Sequence, residues 1–408
     1  MVKLIDKTKI STLDYLYMFF IIIYAAQASA FVRGLGDPLA AGNIVAVLFT
    51  IVMIYVHKVQ FSKNYLISIF VLICYTALTF VRHSYFSGGF IPRWFIYLSI
   101  AYVVCQVYGE RIFTVIESVL LTLFLISLII FIFHLIFPNQ VYSFVEKFSL
   151  PTFSQNSDYI SYNCIFYTIN GEEGRALGEY FLFRRNAGFA WEPGAYACFA
   201  CLAIACRFIH NPDKLLGVPL LVYFAAIYTS QSTTGFFILA ALLLAWVILN
   251  KKFLWLILLI PLAVYAFDLA FVSDKFMDEY VDVVSSDGNV FAVDQHGRLF
   301  GLLVSWYEFI KHPIIGIGGN QDAMDYYVFS GIGDLFVKFG LVLAIIYFVL
   351  LFKSEKCVRN AFNNYGGFYI VVVIILLMIS YQMWEQPLFL SLVFMSVYGS
   401  TKSQKQIV

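Results

Sequence analysis

Apolar runs long enough to cross a bilayer recur along the chain, at 13–31, 39–57, 64–81, 91–108, 112–137, 190–209, 214–230, 233–250, 253–272, 331–352, 366–381 and 386–400. A spanning helix needs about 20 predominantly apolar residues and at least about 17, so the pattern predicts about twelve membrane helices. Two long polar stretches interrupt it, at 138–189 and 273–330. The second opens with Phe276, Met277, Tyr280, Val281 and Val284 on one helical face. The habit returns at Leu299, Leu302, Leu303, Trp306, Phe309 and Ile310, which predicts a helix lying in or near the membrane interface. Lys311 and His312 close it, Pro313 stops it, and Gly316, Gly318 and Gly319 permit a tight turn. The expected fold is all-α: one polytopic helical bundle over 1–408 without internal repeat, which weakens an inverted-repeat transporter.

Composition agrees. Of 408 residues 61% are hydrophobic and 12% charged, with 43 Phe and 28 Tyr, more apolar surface than a soluble domain can hide. A net charge of +1 gives no reason to expect nucleic acid. The placement of charge is more informative. Lys58 and Lys63, Arg111, Arg207 and Lys214, Lys251 and Lys252, Lys353, Lys356 and Arg359 gather in the short connections on one side, with the terminal lysines. The other side's short connections hold only Arg33, Arg82 and Arg93. The positive-inside rule then puts both termini in the cytoplasm and both long loops outside it. Among seven scattered cysteines, Cys198 and Cys201 form a C-x-x-C inside an apolar run, where small packing residues are expected rather than a zinc site.

Two arginines stand out in the long loops. Arg185 follows Arg184 and precedes Gly188-Phe189-Ala190-Trp191-Glu192-Pro193-Gly194. Pro and Glu at a helix start are ordinary. Two arginines there are not, although snorkelling is an alternative. Arg298 opens the interfacial helix, where a cation opposes the helix dipole; a local salt bridge to Asp294 is the plainer reading. The Ser/Thr cluster at 229–234 suits a polar cavity or hydroxyls bonded back to helix carbonyls. Asp322 and Asp325 make a thin case for a metal, and metal-independent chemistry without a cofactor is expected. Paired guanidinium groups at a membrane surface suit a diphosphate.

At these residues the chain resembles the O-antigen polymerase (Wzy-type) family, within the group that includes the O-antigen ligases. The pattern R-x-x-G-F-x-W-E-P-G is met at Arg185, Gly188, Phe189, Trp191, Glu192, Pro193 and Gly194. An R followed by W and P-x-x-G-x-G is met at Arg298, Trp306, Pro313, Gly316 and Gly318. Elsewhere only topology agrees. The resemblance implies a GT-C-like glycosyltransferase in the bacterial inner membrane, working on undecaprenyl-diphosphate-linked oligosaccharides at the periplasmic face. It implies that Arg185 and Arg298 bind the diphosphate, with Arg184, Arg175 and Lys311 as further phosphate or glycan contacts. Trp191 is expected beside the substrate. A chain-length regulator of the Wzz type is the implied protein partner. Ligases carry a histidine before the helix that follows the second loop. Here 329–340 has none, and Asp334 is its only acid, which counts against a ligase. Glu192, His296 and Asp334 remain as candidate bases, in addition to a reaction that needs none. A lipid-linked oligosaccharide flippase is the rival from another class, and it requires charges along a central path through the helices.

Overall fold

The computed structural model describes residues 10–28, 41–84, 88–149, 162–169, 184–212, 217–257, 298–320, 324–325, 328 and 330–399, with 298–300 described by backbone alone. The chain is a helical membrane protein. Its first half comprises α1 (Thr12–Ala26), α2 (Ala41–His57), α3 (Lys63–His83), α4 (Phe90–Tyr108), α5 (Ile112–Ile136) and α6 (Pro138–Lys147). A two-stranded antiparallel hairpin follows, β1 (Tyr162–Asn163) and β2 (Thr168–Ile169), with Tyr162 opposite Ile169. Then come α7 (Pro193–His210), α8 (Val218–Ser230), α9 (Thr233–Leu249), α10 (Arg298–Lys311), α11 (Gly331–Phe362) and α12 (Gly366–Ser380). A 3-10 turn at Gln382–Glu385 leads into α13 (Pro387–Val393) and α14 (Met395–Tyr398).

Among the described residues, four stretches are long and apolar enough to span by themselves: Lys63–His83, Phe90–Ile136, Pro193–His210 and Gly331–Phe362. The second is α4 and α5 joined by a 3-10 turn at Gly109–Arg111, where Gly109 takes φ +55°. Thr12–Ala26, Ala41–His57, Val218–Ser230, Thr233–Leu249 and Gly366–Ser380 are shorter apolar helices. Most of the run at 253–272, and all of the face at 276–284, lie outside the described residues.

Helix direction alternates from α1 to α5 and from α7 to α9, as contacts at the two ends show. At one end Asp14 at the start of α1 meets His57 at the end of α2, 2.7 Å apart. There Glu117, near the start of α5, receives Arg207 (3.0 Å) and His210 (2.6 Å) from the last turn of α7. Trp246, late in α9, donates to the Pro212 carbonyl at 2.7 Å. At the other end the Trp191 amide bonds the Ala26 carbonyl at the end of α1, and Thr234 at the start of α9 meets Ser380 at the end of α12. The polar segments following α5 and preceding α7 and α11 emerge at this second end, called the loop end below.

α7 is the axis of the bundle. It packs on α5, α8, α9 and α12, and all of its residues from Pro193 to Ile209 are buried except Arg207. Small residues allow this closeness: a Cβ on Gly235 of α9 would lie 2.4 Å from Ala197. Cys198 and Cys201 are buried in the same seam, and the Cys201 thiol sits 3.5 Å from the Gly235 carbonyl, in keeping with the packing reading.

Two helices expected to be continuous are broken. The run at 386–400 divides between α13 and α14, because the Ser354 hydroxyl of α11 inserts at the interruption. It accepts the Ser396 amide at 2.9 Å and donates to the Val393 carbonyl at 2.7 Å. α11 itself breaks at Gly340, which adopts φ +66°, ψ −177°. Only glycine populates that region readily, and a Cβ there would lie 2.3 Å from the Ile314 carbonyl oxygen. Gly340→Ala should therefore destabilise the fold by at least about 1–3 kcal/mol. Thermal unfolding in detergent measures it, and an unchanged midpoint would contradict the strained geometry.

Candidate functional site

The segment before α7 is held by backbone bonds on both sides. The Asn186 amide donates to the Thr229 carbonyl at 2.9 Å, and its side-chain amide reaches the Thr229 hydroxyl at 3.2 Å. Its side-chain oxygen accepts the Gly188 amide at 2.9 Å, closing a tight turn. Gly188 takes φ +49° and lies flat on the Tyr196 ring, where a Cβ would come within 2.0 Å. Phe189 is fully buried against Phe124, Tyr196 and Phe199. The glycine and phenylalanine of this motif therefore serve packing. Asn186, which sequence reasoning passed over, is the hinge pin of the turn.

The polar members of the motif lie at the half-buried rim. Arg185 donates through Nε to the Ser230 carbonyl at 3.1 Å, one of the carbonyls α8 leaves open at its end. The bond fixes the plane of the guanidinium at the mouth of α7. Arg184 turns instead toward His134 of α5, whose other ring nitrogen meets the Tyr167 hydroxyl at 3.0 Å. Glu192 is the N-cap residue of α7 with extended backbone (φ −152°, ψ 159°), next to the positive end of the helix dipole. Trp191 packs edge-on to Tyr381, with ring centroids 6.0 Å apart. Gly194 makes room for the Tyr381 hydroxyl; a Cβ there would meet it at 1.6 Å.

Three of the hydroxyls at 229–234 serve helix ends. Thr229 and Ser230 bond back to the Ala226 and Ile227 carbonyls, and Ser232 caps α9 through the Gly235 amide. The back-bonded reading holds for Thr229 and Ser230, while Thr234 meets the Ser380 hydroxyl at 2.8 Å.

α10 runs beside the first half of α11 in the same direction. Ser305 lies against Gly333, the Phe309 and Phe336 rings meet at 5.4 Å, and the Leu341 amide bonds the Pro313 carbonyl at 2.8 Å. Extrapolated backward, the backbone start of α10 at Arg298 projects past the start of α11 at the loop end. The helix turns its polar face inward: Ser305 and Glu308 are buried, while Leu303, Trp306 and Ile310 are exposed. That outward apolar stripe suits lipid. Lys311 is engaged, with Glu308 at 3.0 Å, Asp325 at 2.6 Å and the Tyr307 ring at 4.1 Å. The Pro-x-x-Gly-x-Gly segment is a clamp rather than a phosphate loop. The Ile317 and Gly318 amides donate to the Val337 and Lys338 carbonyls, which the break at Gly340 leaves open. Tyr75 of α3 donates to the Ile315 and Lys338 carbonyls.

Asp334, the third candidate base, is buried in the first turn of α11 and bound to Lys338 at 2.9 Å. It accepts the Trp384 indole N–H at 3.2 Å. Lys338 also approaches Glu385 at 3.4 Å, and Glu385 binds Arg93 of α4 at 3.1 Å. Arg93, Lys338 and Glu385 were not among the expected site residues. The available signal was a lysine and an aspartate four apart within an apolar run, which is rare inside a membrane without a partner.

Arg185, Trp191 and Glu192 thus share one rim, and Asp334 lies nearby through Tyr381, whose carbonyl abuts Gly331. Arg184 and Lys311 belong to other local clusters. Arg175, His296 and the Arg298 side chain lie outside the described residues. Beyond the Arg184–His134 contact, an apolar groove of about 320 Å³ opens between α5 and α6, lined by Ile130, Phe133, Phe137, Gln140, Val141 and Phe144. No family model, curated protein or solved structure matches this chain.

His312 packs edge-on to His83, with centroids 4.8 Å apart. Burial, then the neighbouring His83 and Arg82, hold it below the usual imidazole range. The unfolded chain therefore binds this proton first, near pH about 6.5, and stability present above that pH is lost as pH falls through the folded value. Acidification from pH 7.5 to 5 should lower the unfolding temperature of the native protein more than that of His312→Gln. Equal losses would remove His312 from the linkage. Gly194→Ala must displace Tyr381 and should change the fluorescence of Trp191, read against a Trp191→Phe control; an unaltered spectrum would contradict the contact.

Proposed function

We propose that this protein is a polysaccharide polymerase of the O-antigen type, a metal-independent glycosyltransferase of the inner membrane with a GT-C-like bundle of about twelve spans. In this reading the loop end faces the periplasm and both termini are cytoplasmic. Lys58, Lys63, Arg111, Arg207, Lys251 and Lys252 gather at the opposite end of the described helices, which supports that orientation. The observation that carries the reading is the rim of α7. Arg185 is pinned there through Nε to the Ser230 carbonyl, beside Trp191 and Glu192, at the end past which the start of α10 projects.

The chemistry follows from placing an undecaprenyl-diphosphate-linked glycan at that rim. The bond between glycan C1 and the diphosphate oxygen breaks, and a hydroxyl oxygen of the incoming lipid-linked repeat unit bonds to C1. The hydroxyl proton departs, and undecaprenyl diphosphate leaves. Arg185 and Arg298 stabilise the charge that gathers on the diphosphate, with the α7 dipole adding to them. Glu192 is the favoured base, since Asp334 is already bound to Lys338 and Trp384. His296 ranks behind it. Arg184 and Arg175 are further phosphate or glycan contacts, and the groove between α5 and α6 suits part of the polyprenyl chain. A Wzz-type chain-length regulator is the proposed partner.

A flippase would place charges along a central path. The buried charges described here form groups at opposite ends, Glu117 with Arg207 and His210 at one and Glu385 with Arg93 and Lys338 at the other. The buried apolar length of α7 separates them. That separation favours the enzyme.

Arg185→Ala and Arg298→Ala should each reduce chain elongation roughly 100- to 1000-fold, the usual cost of one lost charge-stabilising donor. The measurement is surface glycan length in cells producing equal membrane levels of each variant. Wild-type length distributions in either variant would remove that arginine from the mechanism.

A further inference from the structure

The buried charges around Glu385 have no role in the chemistry above, yet among the described residues they form the densest ionic group at the loop end. Glu385 receives Arg93 of α4 at 3.1 Å and Lys338 of α11 at 3.4 Å. Lys338 also binds Asp334 at 2.9 Å, and Asp334 accepts the Trp384 indole at 3.2 Å. Two cations and two anions balance, so the group can be buried without net charge. The four groups come from three elements, Arg93 from α4, Asp334 and Lys338 from α11 and Glu385 from the turn after α12, and both acids are tied to the single turn Tyr381–Glu385, Glu385 covalently and Asp334 through Trp384. The Trp384 ring is wedged between Trp94 (5.7 Å), Tyr347 (5.6 Å) and Phe339 (5.8 Å). The turn therefore cannot shift without breaking ion pairs in a medium that offers no replacement.

The head of that turn is Tyr381. Its ring meets Trp191 at 6.0 Å, its hydroxyl fills the space left by Gly194, and its carbonyl abuts Gly331. A contiguous path runs from Arg93 and Lys338 through Glu385, the turn and Tyr381 to Trp191. We propose that Arg93, Lys338, Asp334 and Glu385 are positioning residues, which set the rim of α7 for glycan transfer by holding Tyr381 against Trp191. The positioning of Trp191 rests on the geometry alone, while its effect on turnover rests on the polymerase reading.

The test uses the full-length protein in nanodiscs with 5-fluorotryptophan at its six tryptophans, the Trp191 resonance being assigned by Trp191→Phe. Trp246, at the opposite end, is the internal standard for folding. Glu385→Gln and Arg93→Met should shift or broaden the Trp191 signal and leave Trp246 unmoved, and Arg93→Lys should restore it. In the background of Tyr381→Leu the Glu385→Gln shift should vanish, because the linking ring is gone. Turnover in elongation should fall on the order of 10- to 100-fold in Glu385→Gln, with KM little changed, as for a misplacement of about 1 Å. Should Glu385→Gln fail to fold, Trp384→Phe removes the indole N–H that Asp334 accepts, together with part of the wedged ring, and should move the same resonance. A native Trp191 signal in folded Glu385→Gln or Trp384→Phe overturns the proposal. A moved signal in a protein whose wild type makes no glycan overturns the polymerase reading and leaves the positioning of Trp191 standing.

Discussion

Inside a bilayer, an interrupted helix has no water to satisfy its open amides and carbonyls, and every break must be closed by the protein itself. The architecture of this chain follows from how it meets that requirement. α11 breaks at Gly340, and the amides of Ile317 and Gly318 supply donors to the Val337 and Lys338 carbonyls. The chain after α12 unwinds into the Tyr381–Gln386 segment, and Gln382 and Trp384 reach across to Val328 and Asp334. Between α13 and α14 one hydroxyl, Ser354, serves both sides of the gap. The first two of these bring irregular backbone to the loop end, where side chains can be presented away from helical register, while the third lies at the opposite end, where Asn64 and Gln106 reach the Val397 and Tyr398 carbonyls.

The same requirement sorts the members of the arginine motif. Gly188, Phe189 and Gly194 bring the polypeptide close to Tyr196, to the aromatic cluster of α5 and α7, and to Tyr381. Arg185 closes one end of α8 and in doing so acquires a fixed direction. In the proposed function the residue that ends the helix and the residue that binds the diphosphate are the same arginine, and its value lies in being oriented before substrate arrives, which lowers the reorganisation needed as charge develops. Helix α10 makes a parallel division: Ser305 and Glu308 face the protein, while Leu303, Trp306 and Ile310 face outward.

Much of the fold was legible in the apolar runs, because a spanning helix must be about 20 apolar residues long and little else in a sequence is. The head of α7 was legible from Glu192-Pro193, and the end of α10 from Lys311-His312-Pro313. The breaks were not. Gly340 lies in a run that reads as continuous, and its conformation is set by the Pro313–Gly318 segment arriving from elsewhere in the chain. The split at 394 depends on Ser354, forty residues away. Lys338 and Asp334 are visible as charges in an apolar stretch, but Glu385 and Arg93, which complete the group, are joined only by the tertiary fold. Lys311 looked available for phosphate, and only the structure shows Glu308 and Asp325 around it.

The central claim is that the loop end transfers glycan between lipid diphosphates. It is tested most directly with the purified protein in nanodiscs, supplied with an undecaprenyl-diphosphate-linked repeat unit and no nucleotide, metal or lipid A-core. The account predicts a ladder of products, each one repeat unit longer than the last. A product formed only when lipid A-core is added would make the protein a ligase, and no product from an active, folded preparation would contradict the account.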